Sequence, residues 1–150
     1  VYLNVGIDGP LHQTDHWIYV PELEWPMYRV GSFSNANPAM APAGCSSLYI
    51  ELSDRMTDPM DLSSRIQEGL VAMNLIDDPR QIRFMVPRRI PNAYVIYDAH
   101  YGSARGLIHE WLSAQGVHSI GRYGDWNYSS IEDALIDGRR VGQQISESSD

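Results

Sequence analysis

Apolar and polar residues alternate with a period of two through much of the first half of the chain. In residues 47–53, Leu48 and Ile50 fall on one side of the predicted strand, whereas Tyr49 and Glu51 fall on the other. This alternation is typical of a strand with one buried face. Other segments combine β-branched and aromatic residues and are followed by Gly or Pro. Strands are therefore predicted over residues 1–7, 16–20, 27–33, 47–53 and 81–86, and the first four indicate an antiparallel meander.

Three later segments carry apolar residues at helical spacing, which predicts three amphipathic helices. Asp58 and Asp98 fit the N-caps of the first two, and Gly116 fits a left-handed residue that ends the second. The third helix begins at Ser129 or Ser130, because Ser129 with Glu132 matches a capping box. The predicted buried faces are Leu62, Ile66, Gly69, Leu70 and Met73; then Ala104, Leu107, Ile108, Trp111 and Leu112; then Ile131, Ala134, Leu135, Gly138, Val141 and Ile145.

The composition changes near residues 90–92, where the strand-rich half ends. After this point the pattern predicts a strand over residues 93–97, the second helix, a strand over residues 118–122 and the last helix. A sheet-rich part followed by alternating elements indicates an α+β fold that contributes to two layers or two domains.

Composition and charge narrow the range of partners. The chain has 150 residues, 43% of them hydrophobic, and a formal net charge of −8. Nucleic acids and anionic membranes attract basic surfaces, so neither is an expected partner. No apolar run reaches the roughly 20 residues of a membrane span. The single cysteine suits a reducing compartment, which predicts a cytoplasmic protein. No metal site is predicted, because His12 and His16 lie in a turn-like context that lacks a helix.

Residues 121–133 form a glycine-bracketed aromatic loop that leads into the last helix. This loop is either a tight turn with aromatic packing or a ligand site. The first-turn N–H groups of a helix attract ligand oxygens, but Glu132 and Asp133 disfavour a bare phosphate there. A neutral, polar ring edge is the better fit, with Arg122 beside it to hold an anionic group. The aromatic residues that would wall a flat ligand are Tyr123, Trp126 and Tyr128.

The loop also resembles a known motif. Residues 120–134, Ile-Gly-Arg-Tyr-Gly-Asp-Trp-Asn-Tyr-Ser-Ser-Ile-Glu-Asp-Ala, are similar to the C-terminal flavin-binding segment of a superfamily of FAD-dependent flavoproteins. Its members include amine oxidase-like, protoporphyrinogen oxidase-like and UDP-galactopyranose mutase proteins. Residues 16–21, 27–30 and 91–98 agree with the same resemblance. It spans nearly the whole chain but only the C-terminal portion of such a protein, and the apolar start at Val1 also suggests a piece of a longer protein.

The resemblance implies a role for each part of the chain. Residues 1–92 would be part of the substrate-binding domain, and residues 93–150 the C-terminal segment of the FAD-binding domain. The implied FAD contacts are Gly121, Arg122, Tyr128, Ser129, Ser130 and Ile131. The residues implied to bind a substrate diphosphate, by position in the mutase, are Arg29, Tyr94, Arg122 and Tyr128. No Gly-x-Gly-x-x-Gly fingerprint is present. The partner implied is therefore a missing N-terminal FAD-binding portion, without which the fragment would be inactive.

Three functions remain open at this point. The resemblance favours an FAD-dependent oxidoreductase acting on a small-molecule substrate, with hydride transfer to the flavin. The first alternative is a mutase-like isomerase of a nucleotide sugar, although this chain has Ser130 where the mutase has an aspartate. The second alternative is a non-catalytic binding or interaction module. The sequence identifies no catalytic acid–base pair under any of the three.

Overall fold

The structure, a computed structural model, describes residues 1–53 and 59–147. The chain divides into two compact units, Val1–Ile90 and Pro91–Asp150. A sheet with helices in the first unit and helices in the second confirm the predicted α+β class. The functional assignment of residues 1–92 and 93–150 to two domains stays a prediction.

The described residues of the first unit form one five-stranded antiparallel sheet. Its strands lie in the order β2-β3-β4-β1-β5. The strands are β1 (Tyr2–Asp8), β2 (Trp17–Tyr19), β3 (Met27–Ser32), β4 (Cys45–Leu52) and β5 (Ile82–Arg88). The helices of this unit are α1 (Phe33–Ala36) and α2 (Pro59–Ala72), with short 3₁₀ turns at Pro38–Met40 and Pro79–Gln81. The five strands predicted within this unit are all confirmed, with bounds that differ by at most two residues.

The predicted meander of four strands is correct only for β2, β3 and β4. β1 does not pair with β2. It pairs instead with β4 and β5, in the interior of the sheet. Leu3, Val5 and Ile7 of β1 are buried. Because β1 has a neighbouring strand on each side, neither of its edges faces solvent. The alternation of residues predicts a strand but carries no information about which strand lies beside it.

The core of the first unit lies between one face of the sheet and α2. In β4 the predicted alternation is confirmed: Leu48, Ile50 and Leu52 are buried, whereas Tyr49 and Glu51 lie on the other face. Each fully buried side chain of this kind contributes about 1.5–3 kcal/mol. From α2, Ile66 and Leu70 are buried and Leu62 packs against them, and Met73 joins from just beyond the helix. The predicted cap of α2, Asp58, lies outside the described residues.

The second unit contains helices α3 (Tyr101–Ala114), α4 (Gly121–Gly124) and α5 (Ile131–Glu147). Its described residues form no strand, so the strands predicted over residues 93–97 and 118–122 are wrong. A strand requires a hydrogen-bonding partner, and these two segments find none in the unit. Across the part of the chain that the structure describes, no helix combines the length and apolar character that a membrane span requires.

At the ends of α3 and α5, the structure confirms one predicted capping residue and corrects two predicted N-caps. Gly116 has a φ of +73° and ends α3 as predicted, with the Val117 N–H donating to the Leu112 carbonyl at 2.9 Å. The N-cap of α3 is His100, although Asp98 Oδ1 accepts from the His100 N–H at 2.9 Å. The predicted Ser129–Glu132 capping box is replaced by Ser130 and Asp133, one residue later.

The apolar faces of α3 and α5 lie where the sequence places them but are largely exposed. In α3, Leu107 is 69% and Trp111 is 64% exposed, so the assignment of Trp111 to a core is wrong within this unit. In α5, Leu135 is 71% exposed, whereas Val141 is 7% exposed. The described residues of the unit therefore leave most of this apolar surface uncovered.

Candidate functional site

The segment formed by α4 and the loop that follows it carries two left-handed backbone positions. Gly121 has a φ of +75°, which glycine adopts at little cost because it has no Cβ. Trp126 has a φ of +48°, where a bulky residue is strained. The Tyr101 hydroxyl of α3 donates to the Trp126 carbonyl at 2.9 Å and helps to hold this conformation. Strained positions that the surroundings fix are typical of ligand-binding loops.

Side chains from distant parts of the unit hold the same loop. The Tyr97 hydroxyl donates to Asn127 Oδ1 at 2.7 Å and accepts from the Tyr128 N–H at 2.8 Å. At the start of the loop, Ser119 Oγ donates to the Gly124 carbonyl at 2.7 Å. These contacts fix the backbone that carries Tyr128. The sequence pattern predicted a strand at Tyr97 and gave no sign of this role.

Arg105 of α3 anchors the loop by charge. Its Nε donates to the Asp125 carbonyl at 2.8 Å, and its Nη2 forms an ion pair with Asp125 Oδ1. This side-chain hydrogen bond raises the pKa of the Arg105 guanidinium. His109, one turn further along α3, brings Nε2 within 3.3 Å of the same carboxylate oxygen. No sequence motif indicated these residues, because the contact joins positions 20 residues apart.

Arg122 lies beside a stacked pair of tyrosine rings. Its guanidinium carbon is 4.6 Å from the ring centre of Tyr128 and 5.3 Å from that of Tyr94, and the two rings stack at 6.0 Å. Arg122 Nη1 donates to the Ser129 carbonyl at 3.2 Å. Among the described residues, no carboxylate pairs with Arg122. The structure thus brings together three of the four predicted substrate-binding residues, Tyr94, Arg122 and Tyr128, and the Arg122 cation has no ionic partner in the part of the chain that the structure describes.

The N-terminus of α5 lies directly after this cluster. The Ser130 N–H donates to Asp133 Oδ2 at 2.7 Å, and the Asp133 N–H donates to Ser130 Oγ at 3.1 Å, which forms a reciprocal cap. The hydrogen bond from the Ser130 backbone, followed by that from its side chain, lowers the pKa of Asp133. Within residues 1–53 and 59–147, the N–H groups of Ile131 and Glu132 have no hydrogen-bond partner.

Ser129 carries an unpaired hydroxyl at the same place. Its Oγ is buried and has no hydrogen-bond partner among the described residues. A buried polar atom without a partner is destabilising unless a ligand or water satisfies it. One hydroxyl, two helix N–H groups and the Arg122 cation fit the oxygen-rich edge of a flavin ring. They fit a bare phosphate less well, because Glu132 adds negative charge to the first turn.

Arg29, the fourth predicted substrate-binding residue, lies in the first unit on the sheet face opposite the core. Its Nε donates to Glu51 Oε1 at 2.6 Å, and its guanidinium lies 4.3 Å from the ring centre of Trp17. Gly31 leaves room for the neighbouring Tyr49 ring, since a Cβ there would lie 2.0 Å from Tyr49 Cζ. Burial raises the pKa of Tyr49. The Glu51 carboxylate neutralises Arg29, whose role toward a diphosphate stays a prediction.

Comparison with known proteins supports the flavoprotein resemblance at a coarse level. No protein-family model and no curated protein matches the chain. Among solved structures, a crystal structure of reduced UDP-galactopyranose mutase is similar, with a TM-score of 0.69 and 26% sequence identity. The similarity covers 85% of this chain but only 29% of the mutase chain. The likeness supports the superfamily indicated by residues 120–134, and this chain corresponds to less than a third of the mutase.

Proposed function

We propose that this chain is the C-terminal portion of an FAD-dependent oxidoreductase. In this proposal Gly121, Arg122 and residues 128–131 contact the flavin, and the five-stranded sheet belongs to the substrate-binding domain. The observation that carries it is the convergence of the Arg122 cation, the buried Ser129 hydroxyl and two unpaired N–H groups at one helix N-terminus. The remaining FAD contacts would come from an N-terminal portion, in keeping with the 29% of the mutase chain that the match covers.

The residues of this chain bind and orient rather than react. Ser129 Oγ and the N–H groups of Ile131 and Glu132 would donate to carbonyl oxygens of the ring. Arg122 would hold an anionic group of the cofactor or substrate, because a guanidinium presents several donors to oxygen ligands. The chemistry supplied by bound FAD would be acceptance of a hydride from a substrate carbon.

The first experiment measures the FAD content of the longer polypeptide that carries the N-terminal portion. We expect flavin absorption from that protein and little from residues 1–150 alone. Ser129→Ala in the longer protein removes one hydrogen bond, worth about 0.5–1.5 kcal/mol, and should weaken FAD affinity about 2- to 10-fold. Ser113→Ala, at an exposed serine of α3, is the matched control. A longer protein that never takes up FAD would overturn the proposal and favour the non-catalytic interaction module.

A second candidate function is isomerisation of a nucleotide sugar. The cluster of Tyr94, Arg122 and Tyr128 favours it, as does the likeness to the mutase. Ser130, which occupies the aspartate position of the mutase pattern, is already engaged with Asp133 as a helix cap.

Affinity for a UDP-sugar tests this second candidate in the longer protein. Arg122→Gln should weaken binding about 10- to 150-fold, the effect of losing roughly 1.5–3 kcal/mol from a charged hydrogen bond. Arg139→Gln on the exposed part of α5 is the control and should leave affinity unchanged. Equal affinity in the two variants would remove the nucleotide sugar as substrate. Net reduction of an added electron acceptor would distinguish the oxidoreductase from the isomerase.

A further inference from the structure

The sheet face opposite the core carries aromatic rings that remain in contact with solvent. The register of β2, β3 and β4 places Trp17, Gly31 and Tyr49 in one row across the three strands. Trp17 is 48% exposed, and its ring meets that of Tyr49 edge-on, with 6.4 Å between the ring centres. Tyr19 is 65% exposed, and its ring centre lies 5.9 Å from that of Trp17. We call Trp17, Tyr19 and Tyr49 the aromatic face of the sheet.

The charges on this side of the sheet cancel. Glu51 Oε1 accepts from Arg29 Nε at 2.6 Å and also from Arg29 Nη2, and Glu51 Oε2 accepts from the Tyr28 hydroxyl. The register shift between Met27 and Arg29 allows two consecutive residues of β3 to reach the same carboxylate. Arg29 and Glu51 are the only charged residues of β2, β3 and β4, three strands that the structure describes in full. The aromatic face therefore surrounds a neutral ion pair.

Arg29 is closed to an anionic ligand along its edge and on one side of its plane. Two of its three nitrogen atoms donate to Glu51, so a phosphate would compete for donors that are already engaged. The ring centre of Trp17 lies 4.3 Å from the guanidinium carbon, and that of Tyr28 lies 5.7 Å from it. Only 13% of the Arg29 side chain and 17% of the Glu51 side chain are exposed. Separating this pair would leave a largely buried charge without its partner, which is unfavourable.

The Tyr49 hydroxyl is a polar group available to a ligand on this face. Among the described residues it has no hydrogen-bond partner. Burial raises the pKa of Tyr49, so the hydroxyl stays protonated at neutral pH and can donate. A sugar ring needs several polar partners, whereas Arg29, Glu51 and Tyr28 already bind one another. Exposed aromatic rings beside a single donor instead fit a flat, uncharged ring.

We infer that Trp17 and Glu51 are specificity-determining residues that close Arg29 to anionic substrates, so that the aromatic face accepts an uncharged aromatic ring. The inference rests on the proposed function, because it names the substrate class of the substrate-binding sheet. It reverses the role that the sequence resemblance implies for Arg29, which is to bind a diphosphate. The ring would stack on Trp17 and Tyr19, and its polar substituent would accept from the Tyr49 hydroxyl.

The test compares two probes that differ by one anionic group, para-cresol and para-cresyl phosphate. NMR titration of residues 1–150 measures the affinity of each probe and identifies the amides that shift. We expect para-cresol to bind about 10-fold more tightly and to shift amides of β2 and β3. Trp17→Ala should weaken its binding about 3- to 10-fold. Trp111→Ala, at an exposed tryptophan of α3, is the matched control and should leave the affinity unchanged.

Opening Arg29 should remove the preference for the uncharged probe. Glu51→Gln removes the carboxylate that pairs with Arg29 and should raise the affinity for para-cresyl phosphate by about 10-fold. Glu22→Gln changes the net charge equally at an exposed position between β2 and β3, and it should leave both affinities unchanged. The comparison of the two probes in the unsubstituted protein does not depend on Glu51→Gln folding.

Three results would overturn the inference. The first is para-cresyl phosphate that binds as tightly as para-cresol, or para-cresol that does not bind the sheet. The second is an equal effect of Trp17→Ala and Trp111→Ala on the affinity for para-cresol. The third is methyl galactoside that binds this face more tightly than para-cresol, which would identify a sugar ring as the ligand.

The outcomes separate this inference from the proposed function. A longer polypeptide that never takes up FAD, together with a preference of residues 1–150 for para-cresol, would retain the specificity of the sheet and lose the flavin. A flavin-containing polypeptide whose sheet prefers para-cresyl phosphate would retain the proposed function and lose the uncharged substrate.

Discussion

Replacing Arg105 with alanine should loosen the loop that carries the candidate flavin contacts. The substitution removes the Nε hydrogen bond to the Asp125 carbonyl at 2.8 Å and the ion pair to the Asp125 carboxylate. It does not affect the hydrogen bonds by which Tyr101 and Tyr97 hold the loop backbone. The loop would therefore stay anchored at Trp126 and Tyr128 but lose its tie to α3 at Asp125.

The magnitude follows from the geometry and the exposure. The Arg105 side chain is 37% exposed and that of Asp125 is 24% exposed, so solvent screens the ion pair and it contributes about 0.2–1 kcal/mol. The hydrogen bond to the carbonyl adds about 0.5–1.5 kcal/mol. Arg105→Ala should therefore lower the free energy of unfolding by about 1–2 kcal/mol. Asp125→Asn should cost less, because it removes the ion pair and keeps the bond to the carbonyl.

Urea unfolding followed by circular dichroism measures these differences, and hydrogen exchange at residues 125–128 locates them. Arg139→Ala is the control, since no described residue pairs with Arg139, and it should stay within about 0.5 kcal/mol of the unsubstituted protein. A double-mutant cycle of Arg105→Ala with Asp125→Asn should give a coupling below about 1 kcal/mol. If Arg105→Ala unfolds like Arg139→Ala and exchange is unchanged, the reasoning that α3 holds the loop is wrong.

Three further predictions concern the same unit. Ser130→Ala removes the acceptor for the Asp133 N–H and should destabilise α5 by about 1 kcal/mol in urea unfolding, whereas an unchanged midpoint would show that the cap contributes nothing. Tyr97→Phe removes the hydroxyl that joins Asn127 to Tyr128 and should speed hydrogen exchange at the Tyr128 amide, with normal exchange as the contrary result. The pKa of Asp133 lies below its ordinary value of 3.8 in the folded protein, so its contribution to stability is present above that value and is lost as the pH falls through the folded pKa. Asp133→Asn should accordingly flatten the acid side of the stability profile, and a profile of unchanged slope would contradict the capping geometry.

The sequence predicted the elements of the first unit because each strand carries its own signal. In β4, every second residue is buried, and Leu48 and Ile50 show this in the sequence alone. The position of β1 between β4 and β5 was not predictable in this way. Strand pairing depends on backbone hydrogen bonds between segments more than 30 residues apart, and residue alternation does not specify them.

The sequence likewise predicted some residues of the candidate site and missed others. The residue types at Arg122, Tyr128 and Ser130 indicated a ligand loop at a helix N-terminus. Tyr97 and Arg105 were missed, because they act through contacts 20 to 31 residues along the chain. The strand predicted over residues 93–97 was wrong for a related reason: its apolar pattern was real, but the second unit holds no partner strand among its described residues.

The sequence by itself therefore determined local properties: which segments are strands in the first unit, where α3 and α5 lie, and which loop carries the ligand-binding residue types. These follow from the period of side chains along a single element and from capping residues beside it. Only the tertiary structure decided which strands pair, which residues surround Arg122, and that the apolar face of α5 is exposed. Those properties depend on contacts between segments far apart in the chain, and the free energy of such contacts is set by geometry that no local pattern contains.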